Sequence, residues 1–421
     1  MSRIALLSSE PLRSQMAGIG LRYLEMARRL PALGLEAVVV SAGDPAEVPP
    51  LPPGVGVRPF ERGRLAALLA DCDGAVAQGQ LANDLLIECP ALPAAIDLYD
   101  PWLVENLHYT ATLGFDPYKN DHATWVLQMS RGDFFLCSSP EQRRYYLGFL
   151  TALGRVNPQR MAGDPTLAGL IAEVPFGLPE ALPAHQPLLP AREGGEVRLL
   201  FGGLYDWYDP WTLLDALALL PDRPWSLLVV ENPNPEATPQ RLFAEVRAFC
   251  ERRGWWGRRV RPIAWVPFER RYDLLRDVDA LVATHRPSLE TDLALRTRFL
   301  DAFAAGCPAV TSEGGTVARL IREEGAGWVA PAGDAAALAG CLEELFAGGP
   351  AVAERSRAGE RLAERFRWDR ALSPLAAFCR APKADPTKTA FAFTPGTHAP
   401  ADSFSFRARR LARRLLHRGK R

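Results

Sequence analysis

The chain has 421 residues, of which 48% are hydrophobic and 23% charged. That length exceeds one ordinary core, and that balance excludes wholesale disorder. Lys and Arg number 49, as do Asp and Glu, so the net charge of zero gives no general case for nucleic-acid binding.

Short apolar runs alternate with helix-period segments through most of the chain. Arg3–Ser8 reads as a strand, and Ile19–Leu33 as a helix with Tyr23, Leu24, Ala27 and Leu30 on one face. Gly34 stops that helix, and Leu35–Ser41 is the next strand. Gly74–Gln78, Ala94–Leu98 and Phe134–Ser138 follow as strands, then Pro140–Leu153 as an amphipathic helix. Prolines and glycines crowd Ala181–Gly195, an extended linker. The rhythm resumes with strands at Val197–Phe201, Trp225–Val230, Val260–Ile263, Ala280–Ala283 and Ala309–Ser312. Helices at Pro210–Leu220, Glu236–Arg253, Phe268–Arg276, Arg296–Ala305 and Ala335–Phe346 lie between or after them. This alternation predicts an α/β protein of two doubly wound domains, residues 1–185 and 196–380, joined by a linker at 186–195. Ligands of such sheets bind outside the carboxyl ends of the strands, so the expected site is a deep interdomain cleft.

The seven cysteines have no C-x-x-C spacing, which argues against a zinc knuckle or redox motif and for free thiols. The apolar start, Met1–Leu7, is too short for a signal peptide, and no run approaches the roughly 18 apolar residues of a spanning helix. A cytoplasmic protein is expected. The six histidines show no metal spacing. Asp71 and Asp73, like Asp277 and Asp279, have D-x-D spacing but precede strands, which suits turn acids better than a metal clamp.

Three segments carry chemistry. Ser9–Gly20 joins the first strand to the first helix. Gly18 and Gly20 there either let backbone N–H groups meet a phosphate or only shape the loop. The dinucleotide fingerprint is missing, since Tyr23 stands where its third glycine belongs. In Arg198–Leu214, Gly202 and Gly203 leave room for a ligand at a strand's carboxyl end. Tyr205, Trp207 and Tyr208 offer flat faces for a base or sugar, or a wedge between domains. His285–Gly315 places Arg296, Thr297 and Arg298 in the first turn of a helix. Cations there oppose the helix dipole by about 0.3–1 kcal/mol each, which calls for a compensating anion such as a pyrophosphate. Asp301 follows about 7–8 Å along the axis, an offset that suits a ribose diol. The alternative is an Arg298–Asp301 surface pair. Asp97 and Asp100 end another strand, where they either face the cleft or cap the chain before Pro101.

In this order the segments resemble a GT-B glycosyltransferase of family four (glycosyl transferases group 1). MAGIGLRYLEMARRL resembles the family's glycine loop and helix, and PSLE…LDAFAAGCPAVTSEGG its two-acid region. CSSPEQRRYYLGFL and the GRVNP…DPTLAGLIAEVPFGLP stretch are similar to a bacterial subset associated with surface polysaccharides. The resemblance implies two Rossmann-like domains and transfer of a sugar from a nucleotide-diphosphate donor to an acceptor hydroxyl, with retention. It implies no metal and no cofactor beyond that substrate. Asp301 would hold the ribose, Glu290 would stand near the donor sugar, and Gly18 and Gly20 would meet the diphosphate. Gly202, Gly203, Tyr205, Trp207, Val266 and Thr297 complete the donor side, and Asp100 is the acceptor-side candidate. Two features depart from the family pattern. Glu290 and Asp301 are more widely spaced than usual, and Tyr205–Asp209 replaces the usual Arg and Lys clamp. Arg296 and Arg298 are expected to supply the missing charge. A GT-B-like module that binds without turnover and a nucleotide-sugar epimerase are the rival readings.

Residues 381–421 hold ten Lys or Arg against two acids, net +8, which leaves −8 on the rest. Residues 381–402 read as a disordered linker, and 403–421 as a basic amphipathic tail with Phe404, Leu411, Leu415 and Leu416 on one face. Such a tail suits either an anionic membrane carrying a lipid-linked acceptor or the acidic body of the protein.

Overall fold

The structure is a computed structural model that describes residues 1–388, apart from 15, 111–113, 193 and 232–240. The first sheet holds β1 (Arg3–Ser8), β2 (Glu36–Ser41), β3 (Val55–Pro59), β4 (Gly74–Ala77), β5 (Ala94–Asp97), β6 (Phe134–Cys137) and β7 (Ile171–Glu173). The second holds β8 (Val197–Gly202), β9 (Trp225–Val230), β10 (Val260–Ile263), β11 (Ala280–Ala283), β12 (Ala309–Ser312) and β13 (Gly327–Ala330). Every pairing is parallel, in the orders β3-β2-β1-β4-β5-β6-β7 and β10-β9-β8-β11-β12-β13. Each order reverses direction beside its first strand, so the loops after β1 and β8 lie at topological switch points, where such sheets bind ligands. The central strands are buried on both faces, which is why they read as unbroken apolar runs.

Three strands escaped the sequence reading. Val55–Pro59 is an edge strand interrupted by Gly56 and ended by Pro59, Ile171–Glu173 has only three residues, and Gly327–Ala330 follows a glycine-rich turn. The first helix spans Gly18–Arg29, shorter than expected, because Pro31 and a left-handed Gly34 (φ 78°) close it with a 3-10 turn. The expected helix from Glu236 is described over Arg241–Arg252, and its first residues lie outside the described part. All seven cysteines are free. Among the described residues no single helix is long and apolar enough to cross a membrane.

The expected boundary at residue 380 needs correction. The chain leaves the second domain near Phe366 and returns to the first. Leu178 donates its N–H to the Phe366 carbonyl, and Trp368 donates to Leu178. Trp368 lies so close to Gly177 that a Cβ there would sit 2.1 Å from its ring. Helix Ser373–Arg380 packs beside β7, with Phe378 stacked on Phe134 at 5.1 Å. The first residues of the expected disordered linker are also ordered. Asp385 is 5% exposed and pairs with Arg155 at 2.8 Å and Arg160 at 2.6 Å. The cause is electrostatic: Arg155 is buried in the first domain and needs a carboxylate. Residues 389–402, the rest of that linker, and the tail at 403–421 lie outside the described residues.

Burial alone would push the Asp385 carboxyl up, but Arg160 and Arg155 pull it down to about 2. A depressed folded pKa stabilises the fold above the unfolded value, and that contribution is lost as pH falls from about 4 to about 2. Asp385→Ala is expected to cost about 3–5 kcal/mol at neutral pH, because it strands two guanidinium groups. Urea melts at neutral and acid pH would show the gap between wild type and variant closing as pH falls.

Candidate active site

Two adjoining cavities lie between the carboxyl ends of the two sheets, and they share Tyr205, Leu281, Thr297 and Arg298. The larger, about 270 Å³, takes Met16, Gly18 and Phe176 from the first domain. From the second it takes Gly202, Gly203, Val266, Arg298 and Asp301. The smaller, about 160 Å³, takes Tyr99, Asp100 and Glu105 from the first domain and Trp207, Tyr208 and Arg296 from the second. Most of the residues singled out in the sequence therefore converge on one cleft.

At the first switch point, Gly18 lies so near Tyr99 that a Cβ would sit 2.8 Å from its hydroxyl. Gly20 lines neither cavity. Its N–H donates to Glu10 Oε2 at 2.7 Å, and the Ala17 N–H donates to Glu10 Oε1 at 2.5 Å. The anion on this helix end is thus the protein's own carboxylate, which the sequence reading missed.

At the second switch point, a bulge between Leu200 and Gly202 ends the regular pairing of β8 with β9. Gly202 takes φ 75°, and the Arg298 guanidinium lies across it. Tyr205 and Trp207 stack at 5.0 Å with planes 9° apart. Trp207 also meets His108 and Tyr109 of the first domain, each at 6.2 Å, so this loop is both a cleft wall and an interdomain wedge.

Helix Thr297–Ala304 carries the third group. Arg296 stands at its N-cap and donates to Glu290 Oε2 at 2.6 Å. Glu290 is 1% exposed and lines neither cavity. The two arginines expected to act together are therefore separated. Arg296 is committed to Glu290, whereas no carboxylate lies within ion-pair distance of Arg298 among the described residues. Asp301 lines the larger cavity but pairs with Arg271 at 3.1 Å rather than with Arg298. Arg271 lies over the Tyr272 ring at 4.1 Å. No local pattern announces Arg271, because the helix that bears it, Arg271–Arg276, meets Asp301 only through the fold.

Asp97 is wholly buried in an ion pair with Arg22 at 2.7 Å, so it is structural, while Asp100 faces the cleft. Asp71 binds Arg3 and Arg58. Asp277 accepts the N–H groups of Leu188 and Leu189, and Asp279 pairs with Arg192.

Residues 196–347 match the family model of glycosyl transferases group 1. That part of the chain is similar to the group 1 glycosyltransferases. The match covers β8 through helix Ala335–Ala347 and so contains Gly202, Gly203, Glu290 and Arg296–Asp301. No curated protein matches the chain. The fold of the chain resembles that of sucrose-phosphate synthase from Thermosynechococcus elongatus, with TM-score 0.66 and 16% identity over 90% of this chain and 98% of that one. It also resembles Anabaena HepE in complex with UDP-glucose, with TM-score 0.63 and 16% identity over 90% of this chain and 100% of that one. WaaG, a glycosyltransferase involved in lipopolysaccharide biosynthesis, gives TM-score 0.56 and 16% identity over 90% of this chain and 100% of that one. At these identities the likeness is one of fold: two Rossmann-like domains in the GT-B arrangement.

Gly202→Ala tests the second switch point. The new Cβ would carry a strained φ of 75° and lie 2.8 Å from Arg298 Nη1. Displacement of that guanidinium is expected to weaken binding of a nucleoside diphosphate about tenfold or more, measurable by calorimetry.

Proposed function

We propose that the protein is a glycosyltransferase, which moves a sugar from a nucleotide-diphosphate donor to an acceptor hydroxyl, with retention and without a metal or cofactor. The observation that carries this reading is Arg298. It is a guanidinium with no carboxylate in ion-pair distance among the described residues, over Gly202 and Gly203, at the junction of both cavities and one turn from Asp301. The diphosphate would lie against Arg298 and the first N–H groups of helix Thr297–Ala304, with the ribose toward Asp301 and the base against Trp265, Val266 and Phe268. Negative charge gathers on the diphosphate as the anomeric carbon–oxygen bond breaks. A donor set fixed in advance stabilises that charge with little reorganisation. Asp301 must exchange its Arg271 partner for the ribose hydroxyls, or share with them.

The HepE structures hold UDP-glucose in one case and UDP with glucose in another, which supports the same donor class here. With the WaaG likeness, the acceptor class proposed is a glycan or lipid-linked glycan of surface polysaccharide or glycolipid synthesis. The proposed location is cytoplasmic, with the tail at 403–421 on the anionic inner face of the membrane. Liposome co-sedimentation of the full chain and of one lacking 403–421 tests that contact, and equal sedimentation would defeat it.

The donor reading is tested by thermal shift against UDP, GDP, ADP, CDP and dTDP. One of them is expected to stabilise the fold by about 2.7 kcal/mol at a hundredfold excess over its Kd. No shift with any would overturn the proposal. A binding-only module is the second reading, favoured by the burial of Glu290 under Arg296. Nucleotide binding with no transfer or hydrolysis across a broad panel of nucleotide sugars would select it.

A further inference from the structure

The larger cavity holds a carboxylate that is only half engaged. Asp301 is 8% exposed and faces Arg271, whose Nε lies 3.1 Å from its Oδ1. The Nε–H does not point at that oxygen, so neither atom has a hydrogen-bond partner among the described residues. Opposite charges attract at this distance without regard to direction, whereas a hydrogen bond needs alignment. The contact therefore holds the carboxylate by charge and leaves the accepting capacity of Oδ1 unused. A buried acceptor without a donor is uncommon, and one beside a cavity points to a ligand that brings a hydroxyl or an N–H.

The guanidinium is fixed by its own neighbours in the chain. Its Nη1 donates to the Phe268 carbonyl at 2.7 Å, and its Nη2 donates to the Tyr272 hydroxyl at 2.7 Å. Its central carbon lies 4.1 Å from the centre of the Tyr272 ring. The cation is thus in place before any ligand arrives. Among the described residues Asp301 is the one carboxylate within ion-pair distance of it. Arg271, Arg298 and Asp301 are the charged residues that line this cavity. Arg298 lies against Gly202 and Gly203, whereas Arg271 is tied to Phe268 and Tyr272, so the two cations do not serve one point.

We propose that Arg271 is a positioning residue, which holds the Asp301 carboxylate by charge, leaves Oδ1 open to a sugar hydroxyl, and so makes the protein select ribonucleoside diphosphates over their 2′-deoxy counterparts. This rests on the nucleotide-sugar reading above. It specifies how Asp301 serves the ribose: the carboxylate stays beside Arg271 and does not exchange partners. A ribose diol offers it two donors, and a 2′-deoxyribose offers one.

Calorimetry on the full chain tests this with UDP, GDP, ADP and CDP, each beside its 2′-deoxy counterpart, and with dTDP. The wild type is expected to bind a ribonucleotide about tenfold or more tightly than its deoxy counterpart, the usual effect of one hydrogen bond to a charged group. Arg271→Met keeps the bulk and removes the charge. There the ratio is expected to fall below about threefold, with affinity for the deoxynucleotide within about twofold of wild type. Arg271→Lys keeps a cation but not the fork that binds both Phe268 and Tyr272, and its ratio is expected to lie between. In an Asp301→Asn background, Arg271→Met is expected to leave the ratio unchanged, because Arg271 acts through Asp301. That double variant removes both charges together and keeps the comparison usable if Arg271→Met alone does not fold. An unchanged ratio in Arg271→Met, an equal loss for both nucleotides, or a wild type that binds a deoxynucleotide as tightly overturns the proposal and leaves the nucleotide-sugar reading standing. Absence of binding by every diphosphate sinks that reading itself, and the proposal with it.

Discussion

Arg296→Ala is expected to lower the unfolding free energy by about 3–5 kcal/mol, whereas Arg298→Ala is expected to leave the fold almost untouched and lose nucleotide affinity instead. The two arginines sit two positions apart in one helix end, yet their surroundings differ. The Arg296 side chain is 12% exposed and bonded to a fully buried Glu290. Its removal leaves a carboxylate without water or a partner, the costly half of any buried ion pair. Arg298 touches the Gly203 carbonyl at 3.5 Å and the Tyr205 face at 5.6 Å, so its charge is held toward the cleft. Losing it is expected to weaken diphosphate binding by about 2–3 kcal/mol, roughly 30- to 150-fold. Urea melts and calorimetry on the two single variants would separate these effects. Equal loss of nucleotide affinity with equal stability would show that both arginines serve the ligand.

A comparable loss is expected at the heart of the first domain. Asp97→Ala should cost about 3–5 kcal/mol, because the Arg22 guanidinium it faces is wholly buried. Arg22 bridges three parts of the domain. It bonds Asp97 at the end of β5, donates to the carbonyls of Val174 at 2.8 Å and Pro175 at 3.0 Å, and lies 4.7 Å from the centre of the Tyr99 ring. Val174 and Pro175 begin the crossing to the second domain, and Tyr99 lines the smaller cavity. The loss should therefore loosen the cleft as well as the core. The double variant Arg22→Met/Asp97→Leu is expected to recover much of the stability, because it removes both charges together. If Asp97→Ala melts within about 1 kcal/mol of wild type, water reaches the arginine and the pair is not sealed.

These two arginine pairs also mark where sequence reading stops. The sheets were legible because their central strands are unbroken apolar runs between helices of regular period. The switch-point loops were legible because Gly202, Gly203 and Gly18 follow strand ends directly or open a helix. The places of Asp301 and Asp100 on the cleft were legible for the same reason, since each has a fixed position relative to a helix or strand. What could not be read were the partners. Glu10, Arg271 and Asp385 act on groups brought near by the fold, and nothing beside them in the chain announces it. Arg296 and Arg298 look equivalent in one dimension, and only the burial of Glu290 tells them apart. Glu105 was close to legible: it lies five residues after Asp100 in YDPWLVEN, on a helix that starts at once after a proline.

The return of the chain to its starting domain bears on how the protein is made. Arg155 and the outer side of β6 are covered by Phe378 and Asp385, residues translated after the entire second domain. While the ribosome is still at work, the first lobe has a buried cation without its counterion and an aromatic face without its cover. The second lobe needs nothing from beyond its own span to close its sheet. Synthesis from the N-terminus therefore favours completion of the later lobe before the earlier one, and an excised first lobe would be the half that clings to chaperones.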